Sequence, residues 1–411
     1  MQIPIENNES HGPATADGTT VVVDGTWRQS LTVVRSLGRA GYRVVVVRTP
    51  GSSYLEKSRY VSGTVTLRSG LDGGLSRIEE IVEQLGGAAG TIVYYPIGDT
   101  EIRFALDQRD HFPANWCVAM APSEVVELCA DKTRAGLCTE TAGVPGIRTI
   151  PVKSLTELKA AADTIGFPCL VKGNSEAIRH NRRKAIILKG ANEIDSTFAG
   201  WAGGDQKMLV QTYCAGPRYN VYFFAHEGKV LVTGSLRAVR TDMADGTGLA
   251  VEGISVETTD ELREYTANLA REMGYHGTGC AQYLLNEAGE QPVFLEINAR
   301  LGANFGAVYC AGLNLPLLSV KSALGQDVTP YLGEGVPAGR RYSWFYGDLA
   351  GCIRSFRRRQ VGPLGALTWL GKAVGALFGA DDHITWDRDD PRPTLEIWKQ
   401  RLLPWRREAT L

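Results

Sequence analysis

The sequence lacks the charge excess that proteins of nucleic acids or anionic surfaces usually carry. Its 411 residues include 44 Lys and Arg against 45 Asp and Glu. A chain this balanced has no global electrostatic field to attract nucleic acid or an anionic membrane. We therefore expect no nucleic-acid partner and no membrane partner, and any phosphate must be bound by locally placed Lys and Arg.

Paired cysteine and histidine motifs are also absent. The eight cysteines contain no Cys-x-x-Cys pair, and the six histidines form no His-x-His or His-Glu-x-x-His cluster. These absences argue against a structural zinc site and against a disulfide framework. The simplest cellular location for such a protein is a reducing cytoplasm. The sequence also has no Cys–His or Ser–His arrangement that would indicate a covalent nucleophile.

Long apolar segments are few. Residues 1–18 are polar, without a cationic start or an apolar run, which predicts a flexible tail rather than a signal peptide. Residues 361–380 are apolar and follow three arginines, but they contain Lys372 and five glycines and are barely long enough to span a bilayer. We expect a core, partner-facing or interfacial helix there.

The first part of the chain alternates between strand and helix patterns. Apolar runs such as Val44–Val47 alternate with helical spacings such as Leu31, Val34 and Leu37. Over residues 19–120 this order predicts a small parallel sheet with flanking helices. The loop Asp24–Trp27 after the first strand lacks Gly-x-Gly-x-x-Gly, so we expect a structural turn or part of a substrate pocket rather than a dinucleotide site.

From Ala130 the pattern changes to helices followed by antiparallel strands. The Glu227-Gly228 step predicts a tight hairpin. A last hairpin joins two strands near residues 280–298, and if Gln282 pairs with Glu296 its turn centres on Gly289, inside a polar segment.

The register of this last hairpin brings oxygen-bearing side chains together. Because side chains alternate along a strand, Glu296, Asn298 and Arg300 share one face, whereas Leu295 and Ile297 face the core. With Gln282 beside Glu296, the three oxygens suit Mg²⁺, which takes few protein ligands and the rest from substrate. The alternative is the polar outer face of an exposed hairpin.

Two lysines and a basic loop could bind phosphate. Lys172 ends an apolar strand, where a charge is unusual unless it faces a ligand, although a snorkelling surface lysine is the ordinary alternative. The loop from Gly173 to Lys184 carries Arg179, Arg182 and Arg183. Such a loop is either a mobile flap over a triphosphate or a solvated charge run.

Taken in order, these motifs resemble the ATP-grasp superfamily. The matching segments are Asp131-Lys132, the Phe-Pro-x-Leu-Val-Lys run that ends at Lys172, Val210-Gln211, Gln282 and Glu296-Ile-Asn-Ala-Arg300. The most similar branch has a Gln, Glu and Asn metal site, as in the carbamoyl-phosphate synthetase large subunit and standalone carboxylate–amine ligases. The resemblance covers about residues 20–325.

The resemblance implies a fold of α/β and α+β class, in which a small parallel α/β (pre-ATP-grasp) domain precedes the ATP-grasp fold. The expected divisions are a tail (1–18), the pre-ATP-grasp domain (19–120), the ATP-grasp domain (121–325, with subdomains of about 121–208 and 209–325) and a C-terminal extension of unknown role (326–411).

The resemblance also implies roles for individual residues, with ATP and Mg²⁺ or Mn²⁺ as cofactors. The phosphates would contact Lys132 and Lys172, and the adenine would lie against the hinge Gln211, Thr212, Tyr213 and Cys214. The metal ligands would be Gln282, Glu296 and Asn298, and the catalytic set would be Arg300, Lys172 and Arg237.

Two positions depart from the family pattern, and both bear on nucleotide binding rather than on the metal site. The hinge has Thr212 where Glu is common, and Arg218 or Asn220 stands where an acidic residue usually binds the ribose.

The implied activity is ATP-dependent ligation of a small-molecule carboxylate and an amine through an acyl phosphate, with release of ADP and phosphate. A homodimer is left open. The alternatives are a small-molecule kinase or a carboxylase of the same superfamily, a non-catalytic nucleotide-binding protein, and a membrane-associated protein built around residues 361–380.

Overall fold

A computed structural model describes most of the chain. The described residues are 18–26, 28–48, 54–68, 74–86, 90–175, 178, 180–181, 183, 185–201, 203–204, 207–285 and 291–402. Several expectations fall outside them, namely the N-terminal tail up to Asp17, Trp27, the turn at Gly289, and Arg179, Arg182 and Lys184 of the expected flap.

The first sheet is parallel, as the alternating pattern predicts. Its five strands have the order β3-β2-β1-β4-β5. All five residues of the first strand are buried because both faces of the sheet are covered. The elements are β1 (Thr20–Asp24), α1 (Arg28–Arg39), β2 (Arg43–Arg48), β3 (Gly63–Thr66), α2 (Leu75–Gln84), β4 (Ile92–Pro96), α3 (Asp99–Asp107) and β5 (Trp116–Val118).

A buried ion pair joins this sheet to α2. The carboxylate of Asp24, at the end of β1, pairs with the guanidinium of Arg77 and accepts a hydrogen bond from the hydroxyl of Tyr94. The side chains of Asp24 and Arg77 are 1% and 0% exposed. Asp24 therefore has a structural role, as expected for a turn, whereas Thr26 in the same loop lines the cleft described below.

The second sheet is antiparallel, with the order β6-β9-β7-β8. The helix before it begins where Asp131 accepts hydrogen bonds from the backbone N–H groups of Thr133 and Arg134, as expected of an N-cap. The elements are α4 (Ser123–Ala130), α5 (Lys132–Thr141), β6 (Thr149–Val152), α6 (Leu155–Ile165), β7 (Cys169–Gly173), β8 (Ala185–Leu188), α7 (Ile194–Thr197) and β9 (Met208–Thr212).

The third sheet has the order β14-β13-β10-β11-β12-β15-β16. Its first hairpin turns at Glu227 and Gly228, whose φ angles of 48° and 79° are those of the tight turn predicted there. The elements are β10 (Arg218–His226), β11 (Lys229–Thr241), β12 (Ala250–Val256), α8 (Asp260–Glu272), β13 (Gly277–Leu284), β14 (Val293–Asn298), α9 (Phe305–Cys310), α10 (Leu315–Ala323), β15 (Arg341–Ser343), α11 (Phe345–Arg357), α12 (Pro363–Gly379), β16 (Asp382–His383) and α13 (Arg392–Leu402). Together the parallel and antiparallel sheets confirm the expected α/β and α+β class.

The C-terminal residues extend the third sheet. Strand β15 pairs with β12 through Gly253 and Tyr342, and β16 runs parallel to β15. The apolar segment expected at residues 361–380 forms α12, and much of its surface is exposed. Among the described residues no helix combines the length and apolarity that crossing a bilayer requires.

Removing one member of the buried ion pair should destabilise the protein strongly. In Asp24→Ala the guanidinium of Arg77 loses its carboxylate partner inside the core, which costs about 3–5 kcal/mol. We expect a clearly lower urea midpoint for this variant, and partial recovery in the double variant Asp24→Ala/Arg77→Met.

The matched control is Asp107→Ala, which removes an exposed partner of Arg103. That change should alter the free energy of unfolding by less than about 1 kcal/mol. If the losses in free energy of unfolding of Asp24→Ala and Arg77→Met simply added up in the double variant, the two residues would not be coupled.

Candidate active site

One large cleft lies where the three sheets meet. Its volume is about 2090 Å³, and its walls come from α1, α3, β7, β9, β10, β11, β13, β14 and α12. Ordinary small-molecule sites measure about 300–1,000 Å³, so the cleft has room for more than one ligand. All eleven residues singled out from the sequence for site roles line it.

The β13–β14 hairpin has the predicted register at the site. Gln282 lies opposite Glu296, which confirms the pairing expected from the sequence. A bulge follows, because Tyr283 pairs with Phe294 instead of Leu295. The expectation that Leu295 faces the core is therefore wrong: the bulge changes its side, and it lines the cleft, while Phe294 and Ile297 are buried.

Amide and carboxylate oxygens converge on three neighbouring strands. Asn298 lies opposite Cys280, two pairs beyond Glu296, and Asn220 of β10 lies opposite Gln282. The Oδ1 atom of Asn220 is buried and has no hydrogen-bond partner among the described residues. A buried oxygen without a donor is costly unless a cation or its water completes it, so this donor set fits Mg²⁺.

The chemistry of these donors also limits which metal they suit. Among the described residues, no three His, Cys, Asp or Glu side chains cluster as metal ligands. A single carboxylate with amide oxygens favours a hard cation that takes its remaining ligands from phosphate and water.

The two lysines meet at Glu296. Lys132 Nζ lies 3.7 Å and Lys172 Nζ 4.0 Å from Glu296 Oε2. The Lys172 side chain is 7% exposed, so it is not a snorkelling surface lysine. Two ammonium groups that converge on one carboxylate in the cleft suit an anionic ligand such as a triphosphate.

Contacts between elements fix the positions of these lysines. Asn174, just after β7, accepts a hydrogen bond from the Thr133 hydroxyl and donates one to the Asp131 carboxylate at 3.3 Å. The start of α5, which carries Lys132, is thereby tied to the end of β7, which carries Lys172.

Part of the expected flap is described. A Cβ atom on Gly173 would lie 2.2 Å from the carbonyl oxygen of Ile178, so the loop folds back on its strand where only glycine fits. Arg183 forms an ion pair with Asp245, which lies in the loop after β11. This end of the loop is therefore held against the third sheet.

The predicted hinge lies at the end of β9. Gln211 donates a hydrogen bond from Nε2 to Thr149 Oγ1 at 2.8 Å, while its Oε1 is buried and has no partner among the described residues. The backbone N–H of Thr212 donates to the carbonyl of Arg148 at 3.1 Å. The cleft wall continues through Tyr213 and Cys214.

Arg300 is held by a residue from the first sheet region. Its Nε and Nη2 atoms donate to the two carboxylate oxygens of Asp99 at 2.6 and 3.0 Å. A bidentate pair fixes the plane of a guanidinium. Asp99 begins α3, so this contact also links the first and third sheets across the cleft.

Two further arginines of β11 differ in their surroundings. Arg237 lines the cleft, and its strand partners are Tyr219 and Ile254. The residue of β11 that lies opposite Asn220 is its neighbour Leu236. The guanidinium of Arg240 donates to Glu252 at 2.6 Å and to the buried Asp348 at 3.0 Å. Arg240 thus lies between two carboxylates, whereas Arg300 pairs with one, so Arg240 is the less suited of the two to bind an anion.

Arg28 is a site residue that the sequence reasoning missed. Its Nη2 donates to Asn304 Oδ1 at 2.5 Å, and its guanidinium carbon lies 3.8 Å from the ring centroid of Trp344. The Nε and Nη1 atoms are buried without a partner among the described residues. Burial lowers the pKa of Arg28 to about 10, so the group stays charged at neutral pH.

Arg218 also has a buried guanidinium nitrogen without a hydrogen-bond partner among the described residues. Its Nη1 donates to the carbonyl of Gly248 at 3.1 Å, and its Nε is buried without a partner in the described structure. The position of Arg28 in the sequence could have indicated its role. It is the first residue of α1, where a positive charge is unfavourable to the helix dipole, so a ligand-binding role would explain its presence.

Cys280 does not add a nucleophile to the cleft. It lies opposite Asn298 and is buried, and burial raises the pKa of its thiol to about 12. A raised pKa disfavours the thiolate, which is the nucleophilic form of cysteine.

Comparison with known sequences gives a consistent picture. The model of a family described as "ATP-grasp in the biosynthetic pathway with Ter operon" matches residues 204–338. D-alanine–D-alanine ligases are similar to this chain at 29% identity in Ectopseudomonas mendocina and 25% in Pseudomonas fluorescens, over 42% and 43% of the chain. The chain spans about half the length of these curated relatives, 55% in each case.

Solved structures match a larger share of the chain. Biotin carboxylase from Campylobacter jejuni, in its β-γ-ATP complex, superposes with a TM-score of 0.62 at 18% identity, over 78% of this chain and 74% of that one. The ADP complex of N5-carboxyaminoimidazole ribonucleotide synthetase gives 0.61 at 14% identity, over 80% and 81%. These likenesses establish the fold, and the sequence matches show that part of the chain is similar to ATP-grasp proteins.

Proposed function

We propose that this protein is an ATP-dependent carboxylate–amine ligase, which forms an acyl phosphate and then an amide or peptide-type bond, releasing ADP and phosphate. The observation that carries the proposal is the meeting of Lys132 and Lys172 at Glu296, opposite Gln282. In this proposal residues 19–120 form the pre-ATP-grasp domain, 121–325 bind the nucleotide and 326–411 complete the cleft.

The nucleotide would lie between the second and third sheets. Lys132 and Lys172 would neutralise its phosphates, and the segment from Gln211 to Cys214 would face the adenine. The buried Oε1 of Gln211, which has no partner among the described residues, supports this placement because the exocyclic amino group of adenine is a donor. Thr212 and Arg218 replace acidic residues, so the ribose would be bound without a carboxylate at those positions.

The metal ion would be Mg²⁺ or Mn²⁺ on Gln282, Glu296 and Asn298, with Asn220 beside them. When bound, such an ion would draw negative charge from the phosphoryl oxygens. The chain's own part is to fix these oxygens on β13 and β14 and to hold the two ammonium groups within 4.0 Å of Glu296.

The carboxylate to be activated would bind beside Arg28 and Arg218. Both guanidinium groups have a buried N–H without a partner among the described residues, and an anionic ligand would satisfy them. Arg300, oriented by Asp99, and Arg237 would stabilise the negative charge of the acyl phosphate and of the tetrahedral intermediate as the amine attacks. Walls from all three sheets would exclude water from the acyl phosphate.

The substrates would be a small-molecule carboxylate and amine in a reducing cytoplasm, where the eight free cysteines are stable. The carboxylases among the similar structures share the fold at low identity and do not favour a carboxylase over a ligase. Whether the protein forms a homodimer is tested by its molar mass in solution, which would be twice that of one chain.

Loss of the Glu296 carboxylate should abolish turnover. ADP release measured across a grid of carboxylates and amines should identify an active pair, and Glu296→Gln should lower kcat for that pair by at least about 100-fold, because the phosphates lose their metal-binding carboxylate. Glu264→Gln, on the exposed side of α8, should keep wild-type turnover.

Other outcomes of this assay would identify the alternatives. ADP release that needs no amine would indicate a kinase, and a requirement for bicarbonate would indicate a carboxylase. If Glu296→Ala left the protein's role in cells intact, the ligase proposal would fail.

Replacing Arg28 should weaken binding of the carboxylate substrate more than binding of ATP. A charged hydrogen bond contributes about 1.5–3 kcal/mol, so Arg28→Gln should raise KM for the carboxylate roughly 10- to 100-fold and leave KM for ATP nearly unchanged. Arg28→Lys should recover part of the loss. The control is Arg59→Gln, an exposed arginine of the same region, and an equal rise in both KM values would contradict the assignment.

A further inference from the structure

The helix α12 exposes an unusual apolar surface. Its apolar stripe consists of Leu364, Leu367, Leu370, Val374 and Phe378, and their spacing of three and four residues places them on one side of the helix. Leu364, Leu367 and Phe378 are 81%, 66% and 82% exposed. Single exposed apolar residues are common, but a continuous stripe marks an interaction surface.

The other side of α12 is already packed. Ala373 and Ala376 are buried. Trp369 Nε1 donates to Asp348 Oδ1 of α11 at 2.6 Å, which fixes the rotation of α12 against its neighbour. The stripe therefore faces outward for a structural reason and cannot be buried by rolling the helix.

Between Asp348 and Asp381 the charges have one sign: three exposed arginines precede the stripe, and Lys372 lies on the cleft side of α12. From Leu349 to Ala380 the sequence contains no Asp or Glu but five cations: Arg354, Arg357, Arg358, Arg359 and Lys372. Arg354 pairs with Asp242 at 2.7 Å. The other four form no ion pair with any residue that the structure describes, and all four are exposed. The neutral charge of the whole chain conceals this local cluster.

We propose that α12 and the end of α11 bind the surface of an anionic lipid bilayer, with the apolar stripe inserted at the interface and the arginines on the lipid headgroups. An apolar helical face flanked by cations has this property. The 17 residues of α12 reach about 26 Å, less than the roughly 30 Å of a hydrocarbon core, so the helix would lie in the surface rather than cross it.

Charge also disfavours one way in which a second copy of this chain could cover the stripe. A symmetric pairing with the two α12 helices parallel would bring two sets of exposed arginines together, with no carboxylate from residues 349–380 to separate them. An anionic surface removes that repulsion. This inference does not depend on the proposed ligase activity.

Vesicle sedimentation tests the proposal. We expect the protein to bind vesicles that contain phosphatidylglycerol, to ignore vesicles of phosphatidylcholine alone, and to dissociate at high salt. Leu364→Asp/Phe378→Asp should lower the partition coefficient at least about 100-fold. The triple change of Arg357, Arg358 and Arg359 to Gln should lower it roughly 100-fold, from about 1 kcal/mol per basic residue near the surface.

Matched controls separate this surface from general effects. Leu137→Asp replaces an apolar residue of α5 that is 59% exposed, and changing Lys159, Arg263 and Arg271 to Gln removes three cations elsewhere. Both should bind like the wild type. Because the replaced stripe residues are so exposed, unchanged unfolding midpoints should show that every variant is folded.

Three results would overturn the proposal. The first is no binding to either vesicle, the second is equal binding to both, and the third is a wild-type dimer that Leu364→Asp dissociates while vesicles stay unbound. The third would assign the stripe to contact between copies of the chain, and the mass in solution with and without vesicles distinguishes it.

Discussion

The site depends on a single carboxylate that lies beside two lysine ammonium groups from two other elements of the fold. Glu296 belongs to the third sheet, whereas Lys132 and Lys172 belong to α5 and β7. Without a carboxylate between them, two ammonium groups in a partly buried cleft would repel each other. The same carboxylate lies beside amide oxygens, so one side chain both orders the interface between the layers and centres the candidate metal site.

Much of this arrangement could be predicted from the sequence because it is local. The spacing of Leu31, Val34 and Leu37 predicts a helix where α1 lies. The pairing of Gln282 with Glu296 follows from strand alternation and one polar turn. The bulge after Gln282 could not be predicted, because whether Leu295 turns toward the core or the cleft depends on packing rather than on its own hydrophobicity.

The parts that sequence could not supply are contacts between distant segments. Arg28 meets Trp344, and Arg240 meets Asp348, at separations that no local pattern encodes. A balanced total charge also hides where the charges lie: neutral overall, the chain still places four exposed cations beside one helix. Averages over 411 residues describe solubility, whereas sites and surfaces depend on local placement.

One helix serves two environments at once. Thr368 and Lys372 of α12 line the cleft, while Leu364 and Phe378 on the same helix face outward. If the outward side rests on a bilayer, the wall of the cleft that α12 forms lies within about one helix diameter of the headgroups. Encounter with an amphiphilic substrate would then become a search over an area instead of a volume, and the rate would depend on lipid surface density rather than on concentration in water.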